Sequence, residues 1–216
     1  INENGDEICD KWYLFICDFH EGFARVEHKR NGGDNFINRE GKEICKKCYE
    51  VVGEFHEGFA RVEDKNKGWN FVNQEGEELC DRWYDRVMVF SEGFARVEDE
   101  TKGWNFVNSE GKEISDRWYD AVANFREGFA RVYDENKGWN FINREGKEVC
   151  YRWYNGVSSF HEGFAVVRDN NKGCNFIGKD FKEISDQWYE EVENFNSAGY
   201  AQVYTTNKGW FFIDIN

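Results

Sequence analysis

Seven cysteines, four histidines and 42 acidic side chains are the groups in this 216-residue chain that could do chemistry. Thiols serve as metal ligands or nucleophiles when they lie beside one another or beside an imidazole. Cys9, Cys45, Cys80 and Cys150 instead recur at one position of a repeating pattern, and Ser115 and Ser185 hold that position in the other two copies. A small side chain is what the position asks for. Equivalent columns in sheets stacked face to face lie ~10 Å apart, past the ~7 Å Cα separation a disulfide tolerates, so pairing between copies is not expected. Cys17, Cys48 and Cys174 are isolated, and Cys45-Lys-Lys-Cys48 alone has C-x-x-C spacing, without the further ligands a zinc site needs. Unpaired thiols suit a reducing compartment and favour the cytoplasm.

His20, His56 and His161 share a column with Ser91, Arg126 and Asn196, as a variable exposed position does, and His28 stands in an atypical first copy. No partner is fixed near any of them by spacing, and no nucleophile-elbow, phosphate-loop or H-E-x-x-H signature occurs. The segment Asp64-Lys-Asn-Lys-Gly68, with relatives at Asp99, Asp134 and Asp169, opens like a calcium loop. It lacks the late bidentate acid and carries an intrusive lysine, so a glycine-closed hairpin turn is expected there. The expectation is a chain that is not an enzyme and takes no metal or cofactor.

Aromatic and arginine columns are the better binding candidates. Trp69, Trp104, Trp139 and Trp210 form one column, and Trp12, Trp83, Trp118, Trp153 and Trp188 form another in which each Trp is followed by Tyr. A residue repeated in every copy usually packs one copy on the next. The exposed edge of the pairs Trp83-Tyr84, Trp118-Tyr119 and Trp153-Tyr154 would still offer a stacking platform for sugars or a strip for a peptide. Arg61, Arg96 and Arg131, in one column with Arg25, share a strand face with Phe; they are placed to stack on aromatics, to pair with the Glu two residues on, or to read a carboxylate.

What positions these columns is an internal repeat. Glu57-Gly-Phe-Ala-Arg-Val-Glu63 recurs from Glu21, Glu92, Glu127 and Glu162, with a degraded copy at Ala198-Gly-Tyr-Ala-Gln-Val203. The glycines fall 36, 35, 35, 35 and 36 residues apart, so six units account for the whole chain as one domain, 1–216. Period-two alternation in Phe59–Glu63 and in Trp69–Asn73 predicts strands, and Asn/Gly-bearing connections predict antiparallel hairpins. Large apolar groups on one face and small ones on the other require cover on both sides, which neighbouring copies supply.

Glu92-Gly93, Ala95 and Val97, then Trp104, Phe106, Val107 and Asn108, then Gly111-Lys112-Glu113 and Tyr119-Asp120 give the pattern a recognisable outline. It resembles the bacterial WG (KWG) β-repeat family. Two departures mark a divergent branch: Asn70, Asn105, Asn140 and Asn175 replace the Gly after the family's Trp, and Cys/Ser-Asp-Arg-Trp replaces a Pro-containing stretch. The resemblance implies an all-β array of hairpin repeats and a generic binding or spacer role.

The chain starts and stops within a unit: Ile1–Ile8 matches Val107–Ile114, and the last unit ends at Lys208-Gly-Trp-Phe-Phe-Ile213. The N-terminal segment could supply strands that the last unit lacks, which favours a closed propeller-like ring; an open β-solenoid is the alternative, because ~35 residues is short for a four-stranded blade. A hydrophobic fraction of 40% with 18% aromatics can build a core despite a mean hydropathy of −0.84, and no apolar run approaches a membrane span. With 28 basic against 42 acidic residues the net charge is −14, which disfavours nucleic acid and anionic membranes and favours a basic protein partner. The expected function is a non-catalytic scaffold for protein–protein interaction through an acidic, repeated surface. A carbohydrate-binding protein using the Trp-Tyr columns and a structural spacer or filament subunit are the alternatives.

Overall fold

Turn residues break the sequence into short extended runs, and the described residues contain strands and no helix. The computed structural model describes residues 7–9, 11–28 and 32–214. The strands form six antiparallel sheets of three. In chain order these are β1 (Phe15–Ile16), β2 (Phe23–Glu27) and β3 (Asp34–Asn38); β4 (Val51–His56), β5 (Phe59–Asp64) and β6 (Gly68–Val72); β7 (Arg86–Val87), β8 (Phe94–Asp99) and β9 (Gly103–Asn108). Then come β10 (Ala121–Val122), β11 (Ala130–Asp134) and β12 (Gly138–Ile142); β13 (Gly156–Val157), β14 (Ala165–Asp169) and β15 (Gly173–Ile177); β16 (Glu191–Val192), β17 (Tyr200–Thr205) and β18 (Gly209–Asp214).

Each sheet is a meander, and in the first five the third strand is lined by a fourth edge reduced to two bridges, Val72 with Glu78 and Trp69 with Tyr84 in the second sheet. That economy is how about 35 residues suffice for a unit. The sheets remain separate, an organisation that an open solenoid accommodates. Ile1–Asp6, on which the expected pairing of the chain ends rests, lie outside the described residues. The chain divides into two compact units, Ile1–Lys102 with Phe106–Glu113 and Gly103–Asn105 with Ile114–Asn216; the division falls inside β9 rather than in a linker.

Both faces of each sheet are covered, as the two-sided apolar pattern requires. In the first unit Ala60 and Val62 are buried on one face of β5, and Phe71 is buried on the other face of its partner β6. Phe59 and Phe71 enclose Phe90 of the following repeat at ring-centroid distances of 4.5 and 5.0 Å. Phe23 and Phe36 enclose Phe55 in the same way, at 4.5 and 4.9 Å. In the second unit Phe129 and Phe141 flank Phe160, and Phe164 and Phe176 flank Phe195. Each enclosed ring contributes about 1.5–3 kcal/mol of burial, plus edge-to-face attraction.

Two local devices fix the repeat. His56 pairs with Phe59 across a two-residue turn in which Glu57 and Gly58 both have positive φ, 52° and 85°. A left-handed glutamate costs about 1–2 kcal/mol. Its carboxylate offsets the strain by accepting the N–H groups of the next repeat's turn, from Glu92 at 2.9 Å and Gly93 at 2.8 Å. Glu21 does the same for Glu57 and Gly58 at 3.0 and 2.9 Å. The second device is the buried asparagine that departs from the family pattern. Asn70 Oδ1 accepts from the N–H groups of Phe71 and Cys80, at 2.7 and 3.1 Å, and its Nδ2 donates to the Cys80 carbonyl at 2.9 Å. Asn35 and Asn140 clamp Cys45 and Cys150 identically. The side chain thus acts as a strand would, pinning the segment that returns along the sheet edge.

Candidate functional site

The Trp-Tyr and arginine columns are brought together at the junctions between repeats. Tyr84, Tyr119 and Tyr154 are buried, and their hydroxyls reach Glu113, Glu148 and Glu183 of the following repeat at 3.1, 3.3 and 3.5 Å. Burial raises the pKa of all three phenols. The residue two before each Tyr completes the junction. Arg152 pairs with Asp169 at 2.9 Å and with Glu183 at 2.8 Å, and its guanidinium lies 4.6 Å from the Tyr154 ring centroid and 5.3 Å from that of Trp188. Arg117 pairs with Asp134 and Glu148 and lies over Tyr119 and Trp153. Arg82 pairs with Asp99 and Glu113. Lys47 does the corresponding work for Asp64, Glu78 and Trp83.

Trp83, Trp153 and Trp188 of this column each meet two cations, whereas Trp12 is 78% exposed. Trp83 has Lys47 and Lys67 over its ring, and Trp153 has Arg117 and Lys137. Trp118 is half-buried. These rings and phenols are committed to packing one repeat on the next, the reading that periodicity favours for any residue recurring in every copy. The loops that resemble calcium sites are committed too. Asp64 Oδ1 accepts from the N–H of Asn66 at 3.1 Å and Oδ2 meets Lys47; Asp134 and Asp169 repeat the pattern with Asn136 and Asn171.

The other arginine column also crosses the junctions. Arg61 donates to the Val87 carbonyl at 3.4 Å and Arg131 to the Val157 carbonyl at 3.1 Å. They lie 5.8 and 5.7 Å from the rings of Trp69 and Trp139; the guanidinium of Arg61 thus meets an aromatic ring rather than Glu63, and Arg131 has Tyr133 in place of that Glu. Nε of both is buried without a hydrogen bond. Burial lowers the pKa of Arg96 and Arg131. Arg25 differs in pairing with buried Asp34 at 2.9 Å.

All seven thiols are free. Burial pushes Cys45, Cys80 and Cys150 up to about 12, so these thiols stay protonated and weakly nucleophilic. Among the described residues no cluster of His, Cys, Asp and Glu is arranged to hold a metal ion.

The first repeat carries a feature that periodicity hides. His28, Asp34 and Cys48 stand where the next unit has Asp64, Trp69 and Trp83, and all three line one cleft of about 790 Å³ with Leu14, Tyr49 and Asp64. The missing indoles open it. Behind it Glu43 gathers Lys11 at 2.9 Å, the Tyr13 hydroxyl at 2.9 Å and His28 Nε2 at 3.3 Å. Burial raises the pKa of Cys48, which leaves its thiol without the activation a nucleophile needs. The signal in the sequence was the coincidence of three column breaks in one unit.

At the opposite extreme of exposure are the tips of the G-K-E turns. Glu75, Glu110 and Glu145 are exposed 35 residues apart, and so are Asp81 and Asp116.

No curated protein matches the chain significantly. Among solved structures it is similar to the computationally designed Ika8 protein, with 9% identity over 93% of this chain and 70% of that one and a TM-score of 0.43. BamB from Moraxella catarrhalis gives 7% identity over 90% and 68% of the two chains and a TM-score of 0.39. The WD40 β-propeller domain of Doa1 gives 10% identity over 93% and 78%, with a TM-score of 0.33. The family described as "WG containing repeat" matches four tandem segments, residues 36–69, 69–102, 104–137 and 139–172. Those segments cover more than half of the sequence and carry the sheets, turns and junctions described above, so the chain belongs to the WG-containing repeat family.

Proposed function

We propose that this chain is a non-catalytic repeat scaffold that binds a basic protein partner through its acidic turn tips. The observation that carries the reading is the division of labour among carboxylates. Those at the junctions are occupied by Arg, Lys, Tyr and backbone N–H groups, while Glu75, Asp81, Asp116 and Glu145 are exposed, with Asp81 and Asp116 35 residues apart; Glu110, exposed as well, is held by Lys112 at 2.8 Å. Many weak, equivalent charges suit avidity rather than a single reaction centre. A net charge of −14 adds long-range steering of a cation.

The test is titration of a lysine-rich peptide against the wild type and against Glu75→Lys, Glu145→Lys and the double variant, in low and high salt. Each substitution is expected to weaken binding roughly two- to fivefold, the double variant by the product, and salt to weaken all of them. Loss of all binding from one substitution, or affinity indifferent to salt, would overturn the reading.

A further inference from the structure

Arg61 and Arg131 each span a junction, donating to a carbonyl 26 residues on while lying over an indole: Arg61 to Val87 over Trp69, Arg131 to Val157 over Trp139. The accepting carbonyl belongs to the short first strand of the next sheet, β7 or β13. In the fifth repeat the same two columns hold Val166 and Cys174, so the guanidinium and the indole are both gone, while the carbonyl, now that of Val192 in β16, remains.

The vacated space is open. Between the fifth and sixth sheets, both within one compact unit, lies a cleft of about 620 Å³ whose walls include His161, Val166, Val192 and Glu193. At the junction of the first two sheets the corresponding columns, with Arg25 where Val166 stands, enclose only about 100 Å³. Cys174 opens a second cleft of about 510 Å³, and Val192 borders both. Charge has changed together with shape. Glu193 stands where the other repeats carry Cys17, Gly53, Met88, Ala123 and Ser158, so an acid enters at the junction that loses its arginine. Its N–H is bonded to the Gln202 carbonyl at 2.9 Å, which fixes the backbone, and its side chain is exposed. Among the described residues the Glu193 carboxylate has no ion-pair partner.

We propose that the cleft beside Val166 takes the guanidinium of an arginine from a basic protein partner, seated as Arg61 and Arg131 are in their own junctions, with the Val192 carbonyl and the Glu193 carboxylate as acceptors. The other copies identify the guest, because the group that fits the gap is the one they carry there. A planar guanidinium presents a fork of donors that serves a carbonyl and a carboxylate at once, whereas a lysine ammonium is a point charge without that geometry. The arginine comes from the basic partner of the proposed function, on which this assignment rests. It adds one defined anchor to the many weak contacts of the turn tips.

Calorimetric titration tests it with two small probes: agmatine, which is arginine without its carboxyl group, and 1,4-diaminobutane, which has an ammonium in place of the guanidinium. The proteins are wild type, Val166→Arg and Glu193→Gln, with circular dichroism checking that the fold is kept. Wild type is expected to bind agmatine roughly tenfold tighter than the diamine. Val166→Arg restores the side chain of the other copies and is expected to abolish agmatine binding. Glu193→Gln changes an exposed residue, so it serves even where arginine at 166 disturbs the fold, and is expected to weaken agmatine roughly tenfold. An arginine-rich peptide is expected to bind wild type more tightly than a lysine-rich peptide of equal length, and Val166→Arg to remove that preference. No saturable binding of agmatine, a diamine bound equally well, or an agmatine affinity unchanged in both variants would overturn the proposal. A lysine-rich peptide that binds through Glu75 and Glu145 while agmatine does not bind would overturn this site alone and leave the proposed function standing. Agmatine held in the cleft while neither peptide binds would support the site and overturn the proposed function instead.

Discussion

A buried side-chain amide at Asn70 helps hold together two segments that the backbone joins only through isolated bridges. The polar groups of Cys80 are buried by the repeat above them, and Asn70 satisfies both its N–H and its carbonyl. Truncating the amide leaves them unpaired, and Asn70→Ala is expected to cost roughly 2–4 kcal/mol, read as a lower urea midpoint at unchanged slope. The sequence displayed this asparagine as a departure from the family pattern without its reason, because the partner lies ten residues away across a turn. The arginines were legible as aromatic-stacking residues, and Arg61 and Arg131 do lie over Trp69 and Trp139. Their hydrogen bonds to Val87 and Val157 were not, since those acceptors belong to the next repeat's backbone and carry no side-chain signature.

Turns set the spacing of the elements, and they do so by two different routes. Gly146 has φ near 72°, and a methyl there would collide with the Ile114 carbonyl of the preceding repeat; Gly163 has φ near 83° and open space around it. Both Gly146→Ala and Gly163→Ala pay about 1–2 kcal/mol for a left-handed alanine. Only Gly146→Ala also separates two repeats, so its cost is expected to reach roughly 3–5 kcal/mol by chemical denaturation. Equal losses would mean that the carbonyl yields freely. Phe181 occupies the position of Gly146 one repeat later with φ of 58°, and its ring packs on Phe129 at 4.9 Å and Phe160 at 5.9 Å. Aromatic burial there offsets what glycine avoids elsewhere. The strands themselves were plain in the alternation of Phe59–Glu63, whereas the fourth edge was hidden because it consists of isolated bridges with no run of β-formers.

Over the whole molecule, charge is the dominant variable, and its junction carboxylates make stability depend on acid. Hydrogen bonds from Thr101 and Arg82 hold Asp99 down to about 2 from an ordinary 3.8. Asp64 and Asp169 are lowered in the same direction, first by the N–H groups of Asn66 and Asn171 and then by Lys47 and Arg152. A carboxylate depressed on folding contributes stability that is complete above its unfolded value and is lost as pH falls through its folded one. Unfolding is therefore expected to ease between about pH 3.8 and about 2, and Asp99→Asn to flatten that slope while lowering stability near neutrality. A slope unchanged in the variant would remove Asp99 from the acid response.

By itself the sequence determined the repeat, its length, the strand pairs and the family, because these follow from local periodicity and turn chemistry that recur in each unit. Tertiary structure alone decided which side of each column is spent. Trp83 and Trp153 lie under cations of two repeats, and Tyr84 and Tyr154 bond to the glutamate of the next. One physical reason covers all of these cases. Periodicity states that a residue recurs, but whether its surface is covered depends on the neighbour stacked against it, which is not written in the residue's own repeat.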